Sequence, residues 1–140
     1  MAKSGPIILI DDDHDDKDLF LFVINKLEIQ NEFLYFDNCV NALGFLQTTT
    51  KQPCIIFCDI NLPRMTGLEF KKIIDADKEL RKKSIPFIFY STSVDQKSVD
   101  EAYLEMTIQG FFEKGSSIEI IRRDIERILD YWLRCRHPNS

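Results

Sequence analysis

The stretch IILIDDDHDD, residues 7–16, sets four aliphatic residues directly against a run in which five of six residues are aspartate. An unbroken aliphatic run of that length reads as a buried strand. Carboxylates crowded at its exit repel one another. A chain that keeps them there needs a compensating charge.

The pattern recurs along the chain. Short apolar runs stand at 7–10, 33–36, 54–58, 87–90 and 111–112, each followed by a helical period. The periods are carried by Leu19, Phe20, Val23, Ile24 and Leu27; by Val40, Leu43, Phe45 and Leu46; by Leu68, Phe70, Ile73 and Ile74; by Val94, Val99, Ala102, Tyr103 and Met106; and by Ile118, Ile121, Ile125, Ile128, Leu129 and Trp132. Three helix starts carry a capping-box pattern, Thr66 with Glu69, Ser93 with Gln96 and Ser116 with Glu119. Five strands alternating with five helices predict an α/β fold with a parallel sheet covered on both faces. Right-handed crossovers place all strand C-termini along one edge, where such sheets bind ligands.

Composition narrows the function. The 140 residues suit one domain, and 44% hydrophobic content with eleven phenylalanines supplies a core. A net charge of -5 and a pI near 5.0 argue against direct nucleic-acid binding. Cys39, Cys54, Cys58 and Cys135 show no C-x-x-C spacing, so neither a disulfide framework nor a zinc site is expected. The apolar run at 7–10 is too short for a signal peptide or membrane span, and a cytoplasmic location is the default. His14 reads as a solvated turn residue and His137 as part of a polar tail. Neither glycine fingerprint of the P-loop or dinucleotide folds is present. One domain fills the chain, with its core over about 6–135 and no output module.

Residues with chemistry collect at the strand ends. Strand one ends in Asp11, Asp12 and Asp13, CIIFCD in Asp59, PFIFYS in Ser91 and GFFEK in Lys114. If strands one and three are neighbours, their carboxylates converge, and a divalent cation resolves the repulsion. An all-oxygen set without nearby His or Cys suits a hard ion, with carboxylates, water and a phosphate oxygen forming the magnesium pattern. Magnesium, a lysine and a hydroxyl around one carboxylate make a phosphoryl-transfer site, with Asp59 as nucleophile. Asp13, Asp15 and Asp16 read as helix-start residues.

In order and spacing, IDDD, CDINLPRMTG, FYSTS and FFEKG resemble the receiver domain of two-component response regulators, over nearly the whole chain. The resemblance implies a flavodoxin-like (βα)5 three-layer sandwich with strand order 2-1-3-4-5. It implies Asp59 as phosphoacceptor, Asp11 and Asp12 as the acidic pair (Asp12 the direct Mg2+ ligand), and a metal contact through the Asn61 backbone carbonyl. Ser91 takes the hydroxyl role, Lys114 the phosphate contact, and Ser91 with Phe111 the switch pair. Pro63 and Gly67 match the loop after the phosphoacceptor, and Asn61 and Ser93 match positions that tune phosphoryl lifetime. The chain departs from the pattern at Thr92, where a small residue is usual; at Phe111, which cannot hydrogen-bond as a tyrosine would; at Thr107-Ile108; and at Gly115, where proline is common.

The implied partners are a sensor histidine kinase or phosphotransfer protein, and a separate downstream protein on the face of the fourth helix, fifth strand and fifth helix. SSIEIIRRDIERILDYWLRCR would make a helix of about 20 residues. Its DYWL ending resembles single-domain regulators that work beside phytochrome-type histidine kinases, and an aromatic left outside the core there would serve a partner or homodimer. Two other readings compete. A degenerate receiver would act as a constitutive adaptor or dimerisation module. A haloacid-dehalogenase-type phosphatase would want an acid where Asn61 stands.

Overall fold

The computed structural model describes residues 2–92 and 94–138. After a 3-10 turn at Ala2–Ser4 come β1 (Ile7–Ile10), α1 (His14–Lys26), β2 (Phe33–Phe36), α2 (Cys39–Thr48), β3 (Ile55–Cys58) and α3 (Gly67–Ala76). The chain continues through α4 (Lys78–Lys83), β4 (Phe87–Ser91), α5 (Gln96–Glu105), β5 (Gly110–Glu113) and α6 (Ile118–Arg134). All strands run parallel in the order β2-β1-β3-β4-β5. The flavodoxin-like expectation is met.

Strand composition follows position in the sheet. β1, β3 and β4 are interior and buried along their whole length, whereas the edge strands β2 and β5 are partly open. Alternate residues feed two cores. Ile8, Ile10, Ile56, Cys58, Phe87 and Phe89 pack against α2, α3, α4 and α5. Ile7, Leu9, Ile55, Phe57, Ile88 and Tyr90 pack against α1 and α6. Each helical layer covers one sheet face.

The described residues contain one α-helix more than the five expected. The third predicted helix stops at Asp77, whose backbone is extended and whose carboxylate accepts the amides of Glu79 and Leu80, starting α4. Leu80 anchors that turn in the core. Of the capping boxes, Thr66 with Glu69 forms in full. The cap of α5 is Asp95, which accepts from Ser98, and Ser93 lies outside the described residues. α6 is capped by Ser117, one residue beyond the expected Ser116, and ends after 17 residues.

The two histidines fare differently. His14 is exposed as expected, though it opens α1 rather than sitting in a turn and packs its ring on Tyr35. His137 is buried, packs edge-on against Trp132, and lies with Nε2 3.4 Å from Cys54 Sγ. The polar tail is therefore partly a core element. Trp132 joins the α1/α6 core, whereas Tyr131 stays 64% exposed. All four cysteines are free thiols.

Candidate functional site

Backbone register builds the site. Ile10 pairs with Cys58, so the next residues, Asp11 and Asp59, leave adjacent strands side by side. The Asp59 amide donates to Ile10 O at 2.9 Å, and the Asp11 amide donates to Phe36 O at 3.0 Å. On the other side, Ser91 pairs with Glu113, and the Lys114 amide donates to Ser91 O at 2.8 Å. Parallel pairing alone brings all four residues to one pole.

The side chains converge as the strand ends require. The Ser91 hydroxyl donates to Asp59 Oδ1 at 2.6 Å, and the Asn61 amide donates to the same oxygen at 3.2 Å. Lys114 Nζ bonds Asp11 Oδ2 at 2.6 Å and stands 3.6 Å from Asp59 Oδ2. Asp11, Asp12 and Asp59 offer oxygens within 4.8 Å of one another, with Asp12 exposed and the other two buried. Asp11 Oδ1 also accepts the amide of Asp13.

Electrostatics match this crowding. Burial pushes the Asp11 carboxyl up to about 7, against the hydrogen bond and charge of Lys114. Burial opposes the Lys114 charge, yet hydrogen bonds and charges from Asp11 and Asp16 hold its amine above the ordinary lysine value. Tyr35, whose hydroxyl donates to Asp11 O, is pushed up to about 12 by burial and then by Asp11. The donor set fits a hard dication: clustered carboxylate oxygens carry excess negative charge and no soft ligand stands among them.

Local packing explains one motif match, Gly67, and gives the surroundings of three departures, Gly115, Phe111 and Thr92. Gly67 donates its amide to Ile60 O, and a Cβ on it would lie 2.2 Å from Asp59 O, so the start of α3 needs glycine there. A Cβ on Gly115 would lie 2.3 Å from Ile120 Cγ2. Phe111 packs on Phe89, and Thr92 is exposed directly after Ser91.

Asp16 is the member that sequence reasoning missed. It is 5% exposed, and its carboxylate hydrogen-bonds Lys114 Nζ. An aspartate in a first helical turn looks like ordinary dipole compensation. Its one available signal was position, a helical turn beyond the end of β1.

The sheet order and the acidic, lysine-bearing cleft at the carboxyl ends of the strands define a doubly wound α/β domain. Residues 7–126 match the response regulator receiver domain family, and the chain belongs to that family. Receiver domains of this kind act in two-component signalling, bind a divalent metal and serve generally as signalling domains rather than enzymes. Response regulator Rcp1 from Synechocystis sp. is 25% identical over 139 residues, covering 94% of this chain and 92% of Rcp1. The probable methanogenesis regulatory protein FilR2 from Methanothrix harundinacea is 24% identical, covering 91% and 83%. In structure, the chain is similar to the phosphorylated cyanobacterial phytochrome response regulator RcpA (TM-score 0.87, 21% identity, 96% and 98% covered). The Mn(2+)-bound form of Rcp1 gives a TM-score of 0.85 at 22% identity, with 96% and 99% covered. No helix among the described residues is long and apolar enough to cross a membrane.

Proposed function

We propose that the protein is a phosphorylation-dependent switch in which Asp59 accepts a phosphoryl group from a sensor histidine kinase or a phosphotransfer protein. The observation that carries this reading is the convergence on Asp59 of the Ser91 hydroxyl, the Lys114 ammonium and the Asp11–Asp12 pair. An Asp59 oxygen attacks phosphorus, a P–O bond forms, and the P–N bond of the donor phosphohistidine breaks as its imidazole takes up a proton. Lys114 and Ser91 then face the new phosphoryl oxygens, where their donors offset the transferred charge. Asp11, Asp12, Asp59 and the Asn61 carbonyl would hold Mg2+, which supplies further neutralisation of those oxygens when bound. Two relatives named as phytochrome response regulators support a kinase of that type as donor.

The receiver domain works through a separate protein in this reading. The docking face comprises α5, β5 and α6, because α4 intervenes in the helix count. Tyr103, Leu104, Phe112, Ile120 and Tyr131 are exposed there, which suits a protein partner or a second copy of the chain.

Incubation with acetyl phosphate and Mg2+ should add one phosphoryl group by intact mass to the wild type and none to Asp59→Ala. Equal behaviour of the two proteins would remove the switch and favour the constitutive adaptor.

A further inference from the structure

Away from the carboxylate cluster, one cleft is built from residues that the phosphoryl chemistry does not use. It lies between α3, α4 and the segments that lead into β4 and β5, with a volume of about 240 Å³. The strands run parallel, so their starts mark the pole opposite Asp11 and Asp59. Two particulars of this chain shape the cleft. Asp77 breaks the third helical period and so creates α4, and Thr107, one of the departures from the motif, stands in the opposite wall.

A count of donors and acceptors shows what the cleft lacks. Asp75 is the one acid among its described lining residues, and both its oxygens are occupied. Oδ1 accepts Lys71 Nζ at 2.9 Å and the Thr107 hydroxyl at 2.7 Å, while Oδ2 accepts the Thr107 amide at 2.9 Å. Lys71, 3% exposed, gives two of its three N–H groups to Asp75 and Thr107. Arg81 brings a second positive charge. The acid one turn before it, Asp77, spends its carboxylate on the amides of Glu79 and Leu80, and Arg81 enters no ion pair among the described residues. Burial holds the Lys71 amine below the ordinary lysine value against the bond and charge of Asp75, and the charge of Arg81 adds to the lowering. Gln109 Oε1 accepts the Phe87 amide, which leaves its Nε2 donors over, and the Ser84 hydroxyl reaches only Arg81 O, at 3.4 Å. Donors outnumber acceptors, and two cations against one acid leave a positive charge, in a chain whose net charge is -5.

We infer that this cleft binds a small carboxylate with a short aliphatic body, its oxygens on Arg81, Gln109 and Ser84 and its carbons on Ile74, Leu80 and Ile85. A guanidinium meets a carboxylate through two parallel N–H···O bonds, which an unpaired arginine offers and a paired one does not. The three aliphatic residues are buried and form an apolar floor that inorganic phosphate has no carbon to cover. The volume falls below the ~300 Å³ at which drug-sized sites begin, so the occupant is small. The cleft shares no residue with the carboxylate cluster, and its test is independent of the phosphoryl-switch reading.

Sodium butyrate, titrated into the isotope-labelled full chain at constant ionic strength and followed by amide NMR, reads the site directly. Wild type, Arg81→Gln and Arg81→Lys are compared; Arg81 is exposed, so both variants keep the core intact. Butyrate should shift the amides of Ser84, Thr107 and Gln109 saturably and leave those of Asp11 and Asp59 in place. Arg81→Gln should weaken binding about tenfold or more, and Arg81→Lys by less, because the charge stays and the fork is lost. Butylammonium, the same body with the opposite charge, should give no saturable shift. Absence of saturation with butyrate, unchanged affinity in Arg81→Gln, or shifts centred on Asp11 and Asp59 would overturn the site. Butylammonium shifts equal to those of butyrate would overturn the charge argument, and tighter binding of inorganic phosphate than of butyrate would overturn the carboxylate assignment.

Discussion

The Ser91 hydroxyl, fully buried at the end of β4, donates to Asp59 Oδ1 at 2.6 Å across the gap between two strands. It holds one carboxylate oxygen and leaves Oδ2 facing Lys114. Removing that donor strips a preorganised contact from the transferring group. Ser91→Ala should slow phosphorylation by acetyl phosphate about tenfold to a hundredfold, and Ser91→Thr should restore most of the rate. A mass-spectrometric time course reads both.

Asp12 is the exposed member of the carboxylate cluster, so its charge is spent on repulsion unless a cation is present. Asp12→Asn should raise the melting temperature slightly without Mg2+ and abolish the rise that Mg2+ causes in the wild type. For the wild type, free Mg2+ at a hundred times its dissociation constant is worth about 2.7 kcal/mol. Thermal melts in EDTA and in Mg2+ give the comparison.

Gly67 bears on Asp59 through its backbone rather than through any chemistry of its own. The Cβ of Gly67→Ala would press on Asp59 O, a backbone atom that yields only by moving β3's exit. Overpacking of this kind costs about 2 kcal/mol. Urea unfolding should show that loss, together with a lower phosphorylation rate in the molecules that remain folded.

Far from the site, Lys71 and Asp75 form a pair on α3 at 2.9 Å, both largely buried, with Thr107 accepting from the amine and donating twice to the carboxylate. Burial pulls the Lys71 amine down. Burial works against Asp75 as well, but Thr107 and Lys71 prevail and hold its carboxyl low. Asp75→Asn strands a buried ammonium and should cost about 3 kcal/mol, whereas Lys71→Met with Asp75→Asn should recover most of it. A depressed carboxyl contributes stability that is fully present above its unfolded value and disappears as pH falls through its folded value. The deficit of Asp75→Asn should therefore shrink as acid unfolding is approached, which chemical denaturation at several pH values would reveal.

Asp11, Asp12, Asp59, Ser91 and Lys114 were readable because each ends an apolar run, and parallel pairing sends all such ends to one pole. The strands were legible for the same reason. Asp16 was not, because a helix-start aspartate carries the same local signature whether it faces water or a lysine 98 residues away. Asp77 hid a helix break inside a continuous polar-apolar pattern, since capping by its side chain, not any glycine or proline, stops α3. Ser117 took the cap from Ser116, because near-identical capping residues compete within one turn and tertiary placement chooses between them. His137 follows the last helical period, where no periodicity exists to announce burial.

β3 is hydrogen-bonded on both sides and feeds both cores, with Phe57 facing one helical layer and Cys58 the other. Its amides should accordingly exchange with deuterium only through global unfolding. Asp59 is thus mounted at the end of the central strand, and any movement that signals a modification there would have to be made by the loops and helices around it.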